Sequence, residues 1–179
     1  MTSPAVNAAR PSAPRWCRWG AAAALGVLAM AVLFGWRWYQ DRSERDQALL
    51  LAESNEFAAA QPRLQRLHER HPDDVAVVRA LALGHLGAGH FDEAETYLGR
   101  WCALQPGLAE PYRRRLDLWM KQLKIEQALA DAGHVLRLEP HDLDTRKLLA
   151  HLLVLDCRYA QAEQEALRCL RAEPNNVRV

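Results

Sequence analysis

The chain has 179 residues, half of them hydrophobic, and a formal net charge of +1. That length supports one folded region with its own core. The near-neutral total hides an asymmetry: Arg10, Arg15, Arg18 and Arg37 give residues 1–40 a charge of +4 with no acid, leaving −3 for the remainder. A mildly acidic body excludes a nucleic-acid partner on charge grounds.

In chain order, residues 1–15 (MTSPAVNAARPSAPR) are rich in Pro, Ala, Ser and Asn and read as a disordered tail. From Trp19 to Trp36 no residue is charged, and Trp and Tyr cluster at both ends, as headgroup levels favour. Eighteen apolar residues reach about 27 Å as a helix, at the lower limit for a bilayer span. Residues 16–39 are therefore predicted to be a single transmembrane helix, with the bilayer contacting residues 19–36. Two alternatives were weighed. A buried helix of a soluble protein has no evident slot here, and a cleaved leader wants small residues where GWRWYQ stands. Arg15 and Arg18 press against the span with no acid beside them, which favours a cytoplasmic N-terminus. The chain is thus expected to be a single-pass membrane protein with its body on the non-cytoplasmic side, periplasmic in a bacterial cell.

Beyond the span, Pro72, Pro106, Pro140 and Pro174 stand 34 residues apart. Each ends a helical run, because proline lacks an N–H and clashes one turn back. Asp or Asn beside three of the four suits the cap of a following helix. Twelve residues before each proline stand Ala60, Ala94, Ala128 and Ala162; eight before stand Leu64, Leu98, Ala132 and Ala166. Small residues at a fixed register let antiparallel helices approach closely. Between the prolines, Val75–Pro106 reads as two amphipathic helices broken at Gly87–Gly89.

With a period of 34 and a two-helix unit, the chain resembles the tetratricopeptide-repeat family. The best copy carries the pattern on Ala82, Gly89, Ala94, Leu98 and Pro106. The resemblance divides the chain into repeats at 41–74, 75–108, 109–142 and 143–176. It implies an all-α fold, with antiparallel helix pairs stacked as an α-solenoid after the transmembrane helix. The third copy matches poorly in its first helix, where Arg115 and Leu116 replace Leu81 and Ala82. The closing PNNVRV reads as the opening of a fifth repeat, so the sequence is expected to be a piece of a longer chain, or its open end to pack on a partner.

The family resemblance implies that the first helices line a concave face. By register its candidate peptide-binding residues are Arg45 and Leu49; Arg79, Leu83 and Leu86; Arg113, Asp117 and Met120; and Lys147 and His151. Arg45, Arg79, Arg113 and Lys147 share one register, 34 apart, and form a basic ladder suited to an acidic protein or peptide partner. The plainer reading is that helix surfaces carry Arg for solubility, with Glu110, Asp117 and Asp144 muting the ladder. Leu49, Leu83, Asp117 and His151 stand where family members that clamp a terminal carboxylate would carry Asn, so an apolar groove with basic edges is the better expectation.

Nothing points to catalysis or a cofactor. Gly87–Gly89 follow a helix, not a strand, and no HExxH, GxSxG or phosphate loop occurs. Cys17, Cys102, Cys157 and Cys169 make no CxxC, and His68 with His71 finds no third ligand, so no metal is expected. Trp101, Trp119 and Tyr112 read as packing residues. Two functions compete: a membrane-anchored scaffold for a protein or peptide, and the N-terminal recruiting region of a larger enzyme or secretion or envelope assembly component.

Overall fold

The computed structural model describes residues 15–54 and 56–172, with side chains from Met30 onward. Among the described residues every regular element is a helix: α1 (Arg15–Glu53), α2 (Phe57–Arg70), α3 (Val75–Ala88), α4 (Phe91–Leu104), α5 (Ala109–Lys121), α6 (Ile125–Leu138), α7 (Leu143–Leu155) and α8 (Tyr159–Ala172). The chain divides into two compact units, Met1–Glu44 and Arg45–Val179.

In the first unit α1 starts at Arg15, and the expected tail before it lies outside the described residues. Phe34, Trp36, Trp38 and Tyr39 are exposed. Arg42 holds its guanidinium 5.4 Å from the Trp38 ring centre, within cation–π range. Among the described residues no helix is long and apolar enough to cross a membrane. The side chains of residues 19–29, over half of the expected span, lie outside that description.

The second unit is a row of helix pairs. Helices α3 and α4, α5 and α6, and α7 and α8 pack within pairs, while α2 meets α3, α4 meets α5 and α6 meets α7 across them. The 34-residue spacing survives in the backbone. Helices α2, α4, α6 and α8 start at residues 57, 91, 125 and 159. His71, Gln105 and Glu139 close α2, α4 and α6 just before their prolines, each donating its N–H to the carbonyl four residues back. Asp74 caps α3 by accepting from the Ala76 and Val77 amides, and Asp142 caps α7 by accepting from Thr145. These bonds satisfy amides that no turn precedes. At the same register Leu108 starts α5 without a side-chain cap.

Ala60, Ala94 and Ala128 are wholly buried and Ala162 nearly so, which is the close helix approach their register predicts. Trp101, Trp119 and Tyr112 are core residues as expected. The turn inside each pair uses a left-handed residue. Gly89 takes it at φ 78°, and Leu123 and Cys157, each 34 residues further on, are forced to φ 56° and 58°. A side chain there costs about 1–2 kcal/mol.

The poor third copy has a physical explanation. Arg115 on α5 reaches Asp131 on α6, Nε donating to Oδ2 at 2.8 Å and Nη2 to Oδ1 at 2.7 Å. Trp119 adds Nε1–H to the same Oδ2 at 2.9 Å. Asp131 is 2% exposed, so the misfit in the pattern is a buried, fully hydrogen-bonded ion pair. Close by, burial pushes the Cys102 thiol up to about 11, which makes it a packing residue and not a nucleophile.

Candidate functional site

The basic ladder resolves into members with different partners. Arg45, on α1, places Nε 2.7 Å from Asp74 Oδ2 and donates from Nη2 to Oδ1 at 3.2 Å. Arg113, on α5, donates to Asp142 Oδ2 from Nε at 3.0 Å and Nη2 at 2.7 Å, and also meets Glu139. Both acids lie 29 residues further on, at the caps of α3 and α7. Each arginine therefore ties one repeat to the start of the next. The hydrogen bond to Asp142 raises the Arg113 pKa. At Asp142 burial pushes the carboxyl up, but bonds from Thr145 and Arg113 outweigh it and hold the pKa below the usual value.

Arg79 breaks the pattern. Twenty-nine residues on stands Leu108, which has no charge to offer. Arg79 is exposed; its guanidinium lies 5.9 Å from the Trp101 ring centre, at the outer edge of cation–π range. It lines a groove of about 500 Å³ with Leu49, Glu53, Phe57, Leu83 and Gly84. The Phe57 ring lies directly over Gly84, so closely that a Cβ there would come within 2.0 Å of ring carbons. Glycine at that position is what lets the ring into the groove. Beneath it His85 is 1% exposed, edge-on to Phe57 at 5.0 Å and stacked on Tyr97 at 5.5 Å. Both of its ring nitrogens lack a hydrogen-bond partner. Burial lowers the His85 pKa, with His90 adding to the shift and Glu93 opposing it.

Two further hollows continue along the first helices. One, of about 640 Å³, is lined by Leu83, Leu86, Asp117 and Met120 with Arg114 and Lys121. The other, also about 640 Å³, is lined by Arg113, Arg114, Asp117, Asp142 and Leu148. Shared residues join the three, through Leu83 to the first hollow and Asp117 to the last. Burial raises the Asp117 pKa, against the pull of Arg114 and Lys121. The fold thus brings Leu49, Arg79, Leu83, Leu86, Arg113, Asp117 and Met120 onto these hollows. Arg45, Lys147 and His151 line none of the three. Glu110, expected to mute the ladder, pairs with Arg114 instead, at 3.6 Å.

Sequence reasoning missed Glu53, Phe57 and Gly84 as groove residues. It also read Asp74 as a cap only, and the paired role of Asp74 and Asp142 was legible in their common distance from Arg45 and Arg113.

Stacked helix pairs with hollows along their first helices define an α-helical repeat scaffold. The chain is a tetratricopeptide-repeat protein: the tetratricopeptide repeat model TPR_19 matches residues 51–112, and the solved structures similar in fold are of that kind. A tetratricopeptide repeat protein from Parabacteroides merdae superposes with a TM-score of 0.68 at 17% identity, over 77% of this chain and 55% of that one. MamA from Desulfovibrio magneticus RS-1 gives 0.64 at 13% identity, over 76% and 77%. A mutant O-GlcNAc transferase of Thermobaculum terrenum gives 0.56 at 23% identity, over 74% of this chain and 26% of the enzyme. These likenesses establish the fold. No curated protein matches the sequence significantly.

Proposed function

We propose that this protein is a membrane-anchored, non-catalytic scaffold that holds a protein or peptide partner on the concave face of its repeats. The observation that carries the reading is the unbroken line of hollows along α3 and α5, apolar at Leu49, Leu83, Leu86 and Met120 and charged at its rims. Such a surface suits an extended or helical segment with apolar anchors. The uncharged run from Trp19 to Trp36 supports a bilayer anchor, with the repeats on the non-cytoplasmic side. Crosslinking the full chain in membranes, extracting it in detergent and identifying what co-purifies tests both parts. A stoichiometric protein lost on Leu83→Glu supports the scaffold; recovery unchanged by Leu83→Glu contradicts it. Release of the chain by carbonate washing contradicts the anchor.

A second reading makes these repeats the recruiting arm of a larger enzyme or envelope assembly. Its support is the O-GlcNAc transferase likeness, in which a comparable array is about a quarter of a longer protein. A catalytic domain on the same natural polypeptide would favour it.

A further inference from the structure

The groove between the end of α1 and α3 carries two opposite charges that the fold does not use. Arg79 is the ladder arginine that faces Leu108, where Arg45 and Arg113 face Asp74 and Asp142. Glu53, the last residue of α1, lines the same groove and is exposed. Among the described residues neither forms an ion pair, with the other or with any third group. Between them the floor is apolar: Leu49, Leu83 and the Phe57 ring seated over Gly84. Elsewhere on this unit exposed charges are paired, as in Arg100 with Asp73 and Lys124 with Glu95. Two unpaired, opposite charges flanking an apolar floor make a groove complementary to a ligand of matching polarity.

We infer that this groove takes a peptide segment presenting an acidic side chain to Arg79, a basic side chain to Glu53 and an apolar side chain between them. The inference rests on the scaffold reading and narrows it. A purely acidic partner is disfavoured, because Glu53 repels it. The acid gains a forked, charge-assisted pair with the guanidinium. The apolar residue gains burial in a hollow of about 500 Å³, large enough for one aliphatic or aromatic side chain. Selection depends on both charges together, since either rim pair alone is partly exposed and weak.

The test is selection from a phage-displayed random dodecapeptide library on the full chain in detergent, beside Arg79→Glu, Glu53→Arg and Leu83→Asp. Enriched peptides are then measured as fluorescein conjugates by polarisation. The expected result is enrichment of peptides with an acid and a base flanking Leu, Ile, Met or Phe. Arg79→Glu and Glu53→Arg each weaken those peptides roughly tenfold or more, and selection on the doubly exchanged chain yields them too. Peptides that bind wild type and both charge variants equally, yet are lost on Leu83→Asp, overturn the charge assignment and leave the scaffold standing. Failure of wild type to enrich any peptide overturns both.

Discussion

Replacing Arg115 by the leucine that the second repeat carries at this register, Leu81, would strand a carboxylate in the core. Asp131 has a side chain only 3% exposed and takes three hydrogen bonds, two of them from Arg115. Arg115→Leu leaves it with the Trp119 indole alone. Breaking a buried pair on one side costs about 3–5 kcal/mol, because the remaining charge is neither hydrated nor compensated. Arg115→Leu with Asp131→Asn removes the charge while keeping an acceptor for Trp119, and the loss should shrink to about 1–2 kcal/mol. Arg100→Leu is the control. Its partner Asp73 and Arg100 itself are 70% and 47% exposed in their side chains, so that pair should contribute about 0–1 kcal/mol. Urea unfolding followed by circular dichroism reads all three. The reasoning is refuted if Arg115→Leu costs no more than Arg100→Leu, or if the double variant is less stable than the single one.

The remaining predictions concern turns and titrating groups. Leu123→Gly and Cys157→Gly should each raise stability by about 0.5–1 kcal/mol, because relief of a left-handed side chain exceeds glycine's entropic cost, whereas Gly89→Ala should lower it by about 1 kcal/mol; thermal melts check the signs. His85, with its lowered pKa, favours the fold in its neutral form. Its contribution is complete above about pH 6.5 and is lost as pH falls through the lower folded value, at up to about 1.4 kcal/mol per pH unit. His85→Leu should flatten this part of the stability–pH curve. Asp142, held below its ordinary value, contributes fully above about pH 4 and loses that contribution as pH falls further. Arg113→Leu should reduce the acid-side slope in the same urea titrations.

Much of this architecture is legible in the residues themselves. The prolines and the buried alanines repeat every 34 residues because helix ends and helix crossings recur there, so element type, order and pairing follow from spacing alone. Trp101 and Trp119 are legible as core for the same reason. The ladder was legible as a register and not as a set of contacts, because spacing says that Arg45, Arg79, Arg113 and Lys147 share a position without saying what each touches. Clasping to Asp74 and Asp142 depends on how one helix start meets the previous repeat, a tertiary property. Leu123 and Cys157 hid the left-handed turn that Gly89 announces, since tertiary packing overrides the glycine preference. Asp131 hid because a charge on a helix reads as solvated until its partner on the neighbouring helix is known. Gly84 as the seat of Phe57 has no periodic signature at all.

The central claim is that a partner lies along the first helices. Hydrogen exchange of the full chain, with and without the protein recovered by crosslinking, tests it most directly. The account predicts slowed exchange in α3 and α5 around Leu83, Leu86 and Met120, with α4 and α6 unchanged. Protection confined to α4 and α6, with α3 and α5 unaffected, would contradict it.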